Sequence, residues 1–437
     1  MLISGGRIVD PSDRFESPGD LLVQDGRIAA RVAGALTAPA GAVVLDARGL
    51  VVTPGLVDIH THLRTPGFPE KETIESGTAA AAAGGFTTVC AMANTDPVVD
   101  TVEVLESVQD ACRRGALVRV RQLAAVTHGL RGERLTDFEA LARAGAVAFS
   151  DDGKPVWDVA VMRAALRAAG GLDMVVSVHE EDRDLVGPGV AHSGAAGRHR
   201  LPPWPCAGEA AMVARDIELA AETGGKLHIA HVSCAETVEV LRSARRRDLP
   251  VSAEVTPHHL SLTERLLDGD ASIGLPAASP RTKVNPPLRS EADVEALITA
   301  VGDGTIDAVA TDHAPHTAVD KASPFETAAF GFTGLETALP VCLGLVRAGH
   351  LALPRLIELL TIGPARIFGL PSSLQPGSPA DVCVFDPTEA WTVSPENLRS
   401  RGKNTPLLGR TVRGRVRWTL VAGRIVFPAW NGPTYPG

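Results

Sequence analysis

Cysteine is sparse in this chain: six of 437 residues, with no two in a CxxC pair. Cys90, Cys112, Cys206, Cys234, Cys342 and Cys383 are scattered through apolar segments. That distribution reads as buried, reduced thiols and suits a cytoplasmic protein. The first residues, MLISGGRIVD, hold no basic stretch followed by a long apolar one, so no signal peptide is expected. No run reaches the roughly 18 uncharged apolar residues that cross a bilayer, so no membrane association is expected. Basic runs are missing too. Arg245-Arg246-Arg247 is short, and the formal net charge is −9, which gives no groove for nucleic acid. An acidic surface favours solubility without naming a partner. The GxGxxG signature after a first strand is also absent, which argues against an open, doubly wound dinucleotide fold.

What is present fits one large enzyme domain with a smaller companion. Apolar residues make up 45% and charged residues 21%, ordinary for a globular chain. Three stretches are alike: Gly6-Arg7-Ile8, Gly26-Arg27-Ile28 and Gly423-Arg424-Ile425. Each has β-type neighbours and a glycine that can supply a turn. Two lie near the start and one near the end, so both termini are expected to build one discontinuous β-sandwich, residues 1–53 and 373–437. Two unrelated hairpins are the alternative.

Between them, over 54–372, apolar runs alternate with helical stretches. The runs are GLVDIH (55–60), FTTVCAM (86–92), VRVRQLAAV (118–126), AVAFS (146–150), MVVSVH (174–179), LHIAHV (227–232), VSAEV (251–255) and IDAVAT (306–311). Helices are predicted over 75–84, 101–113, 158–169, 208–223, 235–246 and 291–301. Alternation of strand and helix implies a parallel sheet, and eight repeats imply a closed α/β barrel of the (β/α)₈ type.

The strongest chemical signal is Asp58-Ile59-His60-Thr61-His62-Leu63-Arg64. Alternate strand residues point to one side, so His60 and His62 present two imidazoles together, good ligands for zinc and similar ions. Other strand ends supply more: Asp151-Asp152 at the fourth, His179 at the fifth, His231 at the sixth and Asp312 at the eighth. In a barrel these ends converge on the face that carries active sites. Parity does not choose between Asp151 and Asp152. His228, three residues before His231, is expected to face away and pack on a helix. His258 and His259 either support the site or serve the fold.

Together, HTHLR (60–64), MANT (92–95), FSDDG (149–153), HEE (179–181), HVS (231–233), AEVTPHH (253–259), KVNPPLR (283–289), ATDHAPH (310–316), FGFTGLET (330–337) and GKNTP (402–406) resemble the class I bacterial dihydroorotases of the amidohydrolase superfamily. The resemblance runs in order over nearly the whole chain. It implies one metal on His60, His62 and Asp312, a second on His179 and His231, and Asp152 as the bridge, with Zn²⁺ expected at two per subunit. Lys154, as a carboxylated bridging lysine, is the alternative bridge. The resemblance further implies that Arg64 and Asn94 grip a substrate carboxylate. Asn285 and His316 would complete the pocket, and main-chain groups of Phe330 and Gly331 would meet the substrate ring. The implied reaction is reversible closure of N-carbamoyl-L-aspartate to L-dihydroorotate with loss of water, a step of de novo pyrimidine synthesis, with Asp312 as general acid and base.

Two departures stand out: Ala93 occupies a position where many relatives carry proline, and 266–282 is long for its place before KVNPPLR. A hydantoinase or allantoinase acting on a cyclic ureide is the second enzymatic reading. An inactive homologue serving as a scaffold is the third. The polar stretch Thr317 to Ser323, within 314–332, is expected to gate the site. The expected partner is a small-molecule substrate, and the expected assembly a homodimer.

Overall fold

A computed structural model describes residues 1–429. The C-terminal part of the expected sandwich, 373–437, thus runs beyond the described residues at 430–437. Strands β1 (Leu2–Asp10), β2 (Phe15–Gln24), β3 (Arg27–Ala33), β4 (Val44–Asp46) and β5 (Val51–Pro54) open the chain. Gly26 (φ +71) closes the β2–β3 turn, a conformation that costs glycine little. The expectation of a turn at Gly6 is corrected. Gly6 lies inside β1 opposite Gly19, and a Cβ there would come within 2.6 Å of Val52 Cγ2. It is small because a neighbour crowds it.

One residue, Gly55, separates β5 from β6 (Leu56–Thr61). Next come α1 (Ile74–Ala83), β7 (Phe86–Ala91), α2 (Val102–Gly115), β8 (Arg119–Gln122), α3 (Phe138–Arg143), α4 (Val159–Gly171) and β9 (Val175–Val178). An excursion follows, with α5 (Arg183–Val186), β10 (Ala191–His192), α6 (Ser193–His199) and β11 (Pro203–Trp204). Alternation resumes with α7 (Ala207–Thr223), β12 (Lys226–Ile229), α8 (Ala235–Arg246), β13 (Val251–Val255), α9 (Glu291–Asp303) and β14 (Ala308–Val309). Three helices, α10 (Ala338–Arg347), α11 (Leu353–Leu360) and α12 (Ile362–Ile367), lead to β15 (Val382–Thr392), β16 (Thr411–Val421) and β17 (Arg424–Phe427).

The six predicted helices are α1, α2, α4, α7, α8 and α9. Local chemistry starts several of them: the side chains of Thr73, Thr101 and Asp158 accept backbone N–H bonds at the first turns of α1, α2 and α4, which satisfies otherwise orphaned donors. Helix α2 buries Leu105 and Val108. Truncating a leucine packed like Leu105 to alanine costs about 2–5 kcal/mol.

The barrel strands β6-β7-β8 form one parallel set and β9-β12-β13-β14 another. Phe149 joins them on one side through bridges to Ala124 and Val176. The Thr61–His313 bridge closes the other side. The fold is therefore the expected (β/α)₈ barrel, with its fourth strand reduced to a bridging residue.

Both chain ends meet in one sheet of order β17-β16-β15-β5-β1-β2-β3, with β4 also on β1. Strand β5 pairs with β1 on one side and β15 on the other, which excludes two unrelated hairpins. Ile3, Ile8, Leu21, Val52, Val382, Val384 and Leu420 pack into a core of its own. Among the described residues no helix is long and apolar enough to cross a membrane.

Candidate metal centre and active site

His60 and His62 stand at the end of β6, and four other strand-end residues turn toward them. His60 Nε2 lies 3.3 Å from Asp152 Oδ1 and 3.6 Å from Asp312 Oδ1. His62 Nε2 lies 3.4 Å from Asp152 Oδ2 and 3.1 Å from Asp312 Oδ1. His179 Nδ1 and His231 Nε2 are 2.9 Å apart, each 3.7 Å from Asp152 Oδ1. Asp152 thus touches all four histidines, as a bridging ligand must. His60 Nε2 and Asp152 Oδ1 are buried and have no hydrogen-bond partner among the described residues. Buried polar atoms are rarely left so. The ligand atoms of His60, Asp152 and His231, and those of His60, His62 and Asp312, lie within 4.8 Å of one another, a donor set that fits a divalent metal.

Electrostatics agree. Burial opposes charge on His60, yet the Asp152 and Glu254 carboxylates hold its pKa well above the usual value. Burial would raise Asp312, but the hydrogen bond to His62 and the nearby imidazoles hold it well below the carboxylate range. Such mutual shifts mark a site where positive charge belongs among the carboxylates.

The backbone is bent to this purpose. Arg64, His231 and Asp312 take φ values of +58, +35 and +47, a left-handed region that costs a non-glycine residue about 1–3 kcal/mol and persists where surrounding structure enforces it. For Asp312 that enforcement includes Asp58, which accepts bonds from Thr311 N and Oγ1 and from His60 N.

Asp151, left open with Asp152 by parity, points elsewhere. It accepts bonds from the backbone of Val126 and Thr127 and from the Thr127 hydroxyl, so it holds the third strand's loop. Lys154 is exposed. His228 corrects the expectation of helix packing: its Nε2 lies 3.2 Å from Glu254 Oε2, while Glu254 Oε1 lies 2.7 Å from His60 Nδ1. His259 bonds Thr256 Oγ1 and the Pro286 carbonyl oxygen, a structural role. His258 is held well below the usual imidazole range by burial.

Around the cluster opens a cleft lined by Arg64, Asn94, Asn285, His316, Phe330 and Gly331 as well as by His62, Asp152, His179, His231 and Asp312. All six substrate candidates are therefore brought together, several with additional work. Asn94 Oδ1 lies 2.9 Å from His62 Nδ1, and its amide donates to Asp152 Oδ2 at 3.3 Å. Arg64 donates to the Pro315 carbonyl oxygen at 3.3 Å and lies 3.4 Å from His316 Nε2. Asn285 donates to Glu181 at 3.2 Å, and Glu181 lies 3.2 Å from His179 Nε2. His316 Nε2 meets the Phe330 carbonyl oxygen at 2.7 Å. Gly331 donates to Lys283 O and accepts from Asn404 Nδ2. At φ +126, with a Cβ that would meet Ala314 Cβ at 2.6 Å, this position requires glycine.

Glu254 and Glu181 were missed from sequence. Both sit inside noted motifs, AEVTPHH and HEE, but their partners lie far along the chain. The loop expected to gate the site is strapped down: Lys321 Nζ donates to the carbonyl oxygens of Pro280, Lys283 and Ala329 at 3.2, 3.0 and 2.6 Å. The long segment 266–282 supplies the first of these.

Residues 49–237 match the family described as Dihydro-orotase-like. The chain is 50% identical over 428 residues to a dihydroorotase of Anaeromyxobacter dehalogenans (98% of this chain, 97% of the relative). It is 44% identical over 429 residues to one of Syntrophus aciditrophicus (98% and 99%). Among solved structures, the L-hydantoinase (dihydropyrimidinase) of Arthrobacter aurescens superposes with a TM-score of 0.85 at 26% identity, covering 97% of this chain and 95% of that one. A dihydropyrimidinase of Brevibacillus agri, at 24% identity and TM-score 0.84 over 97% and 94% of the two chains, shares the fold. The metal-fitting cluster and full-length relatedness agree: the chain belongs to the dihydroorotase family of metal-dependent cyclic amidohydrolases.

Proposed function

We propose that the protein interconverts N-carbamoyl-L-aspartate and L-dihydroorotate in de novo pyrimidine synthesis. The observation that carries this is Arg64, placed in the cavity beside Asp312: a planar guanidinium suits a substrate carboxylate, and dihydroorotate has one. His60, His62 and Asp312 would hold one zinc, His179 and His231 a second, and Asp152 would bridge. When bound, the metal supplies Lewis acidity, acidifying water and polarising the ring carbonyl.

The chain's own residues do the rest. Arg64 holds the substrate carboxylate and Asn94 shares that contact. Asn285 and His316 orient the ring, which rests against the main chain of Phe330 and Gly331. In the hydrolytic direction Asp312 takes the proton from the attacking water and gives it to the ring nitrogen as the amide C–N bond breaks. The reverse sequence closes the ring and releases water. One carboxylate at a fixed place can serve both directions.

The hydantoinase reading is favoured by the solved neighbours' likeness alone. A steady-state assay with dihydroorotate, hydantoin and allantoin in parallel decides. Dihydroorotate should be turned over at least a hundredfold more efficiently, and preference for hydantoin would overturn the proposal. We place the division of the chain at 1–53 and 373–437 for the terminal sheet and 54–372 for the barrel. Six free cysteines, five of them buried, support a cytoplasmic location. A homodimer is the proposed assembly, testable by light scattering.

A further inference from the structure

The connection between β15 and β16, residues 393–410, leaves the terminal sheet and reaches the catalytic face of the barrel. Buried Glu72, just before α1, fastens it there. Glu72 accepts from Arg401 N at 2.9 Å and from the Ser400 hydroxyl, and it lies 3.2 Å from His313 Nε2. Lys403 Nζ donates to the carbonyl oxygens of Leu398 and Ser400. Connections of this kind usually run over the surface. This one carries Asn404, which is only 5% exposed.

The Asn404 side chain has one carbonyl oxygen and two N–H donors, and all of them go to the substrate pocket. Its Oδ1 accepts from His316 N at 2.8 Å, and its Nδ2 donates to Ala314 O at 2.9 Å and Gly331 O at 3.0 Å. One N–H and two carbonyls as partners fix which way the amide faces. The Asn404 main-chain oxygen also accepts from Thr333 N at 3.0 Å. One residue thus ties the turn 314–316 to the opposite wall, 331–333. The Pro315–His316 peptide carries the contact onward. Its N–H goes to Asn404, and its carbonyl oxygen accepts from Arg64 Nε at 3.3 Å. A planar, rigid group therefore stands between Asn404 and the guanidinium. Gly402 presses on the same peptide: a Cβ there would meet Pro315 Cβ at 2.7 Å.

We infer that Asn404 is a positioning residue for the substrate. It acts through the Pro315–His316 peptide on Arg64 and His316, and through Gly331 on the wall beside the ring, and so sets the pocket for a ring that bears a carboxylate. The inference rests on the reading of Arg64 as the carboxylate grip. An amide is needed at 404. Aspartate has the same shape and keeps an acceptor for His316 N, but it turns an oxygen toward the carbonyls of Ala314 and Gly331. Buried acceptors left facing an acceptor are costly, and the two walls should part.

Two full-length, metal-loaded variants test this from different sides. Asn404→Asp removes the two donors. Gly402→Ala keeps every hydrogen-bonding group and pushes on Pro315. Metal content and far-ultraviolet circular dichroism should match the unaltered protein in both. A small misplacement of binding groups is costly, and KM for dihydroorotate should rise roughly tenfold in each. The carboxylate contact is made in ground and transition states alike, so kcat should change far less. Calorimetric titration with orotate, which keeps the ring and the carboxylate, should show binding weakened to the same degree. Residues that act through one another are not additive, so Asn404→Asp should add little once Arg64→Lys is present. A fall in kcat with KM and orotate affinity unchanged would overturn the inference, and so would an undiminished loss of orotate affinity in the Arg64→Lys background. Preference of the unaltered protein for hydantoin would sink the assigned reaction alone. The orotate titrations need no turnover and would still decide the role of Asn404.

Discussion

Glu254 Oε1 sits 2.7 Å from Nδ1 of His60, the imidazole whose other nitrogen faces Asp152 and Asp312. Burial would raise the Glu254 carboxyl, but His60 and His228 bring it down to about 2. It therefore stays anionic and fixes the tautomer that leaves His60 Nε2 free for a metal. Glu254→Gln keeps the shape and removes the charge. Partners behind a ligand are worth about 10–100-fold in metal affinity or activity, so metal loss to a chelator should quicken and kcat fall by about that factor. Unchanged metal retention would mean that Glu254 serves the barrel core alone.

Asp152 and Lys154 give opposite expectations. Asp152→Ala removes the carboxylate that touches four histidines, and metal content measured by elemental analysis should fall. Lys154→Ala, at an exposed position, should retain the full content. Mass spectrometry of the intact protein should show no carboxylated lysine there.

Arg64→Lys tests the substrate. The charge remains and the two-pronged geometry goes. A charge-assisted hydrogen bond is worth about 1.5–3 kcal/mol, and about 1.4 kcal/mol is tenfold in rate. Catalytic efficiency on dihydroorotate should therefore drop on the order of ten- to a hundredfold, with metal content intact. Any activity on hydantoin, which has no carboxylate, should hardly change. Equal losses on both would show that Arg64 props up the His316 loop instead.

Lys321 gives a pH signature. Burial and the neighbouring Lys283 lower its pKa from 10.5 to about 7. The folded chain binds fewer protons here than the unfolded chain, so this lysine opposes folding fully below pH about 7, and the penalty lifts as pH rises toward about 10.5. Lys321→Met removes the titration along with the three carbonyl contacts. The melting temperature of the unaltered protein relative to this variant should rise across pH 7 to 10. A difference that is flat or falls with pH would contradict it.

Much of this was legible in sequence because it is periodic or local. His60 and His62 are two apart on a strand, and the other ligands follow apolar runs at strand ends. The six helices were legible as the stretches between apolar runs, and three of them, α1, α2 and α4, have Thr or Asp at their starts. The fourth strand was legible as AVAFS yet survives only as the Phe149 bridges, since a parallel ladder depends on neighbours far along the chain. His228 was misjudged for the same reason. Its partner Glu254 sits on the next strand, and no pattern within LHIAHV reveals a carboxylate waiting there. Asp151 and Asp152 could be separated only by what each touches: backbone donors in one case, four imidazoles in the other.

Strand β5 runs through Gly55 directly into β6, which carries His60. Of its two sheet neighbours, β1 precedes it and β15, paired through Val382 to Phe385, comes more than 300 residues later. During synthesis, the strand that leads into the ligand-bearing one therefore leaves the ribosome with only one of its two sheet neighbours made. The missing neighbour arrives only after the strands and helices of the barrel have been made. The terminal sheet is therefore completed after the barrel, and a chain that stops short of β15 is left with an open edge at β5, a site for mispairing or for capture by a chaperone.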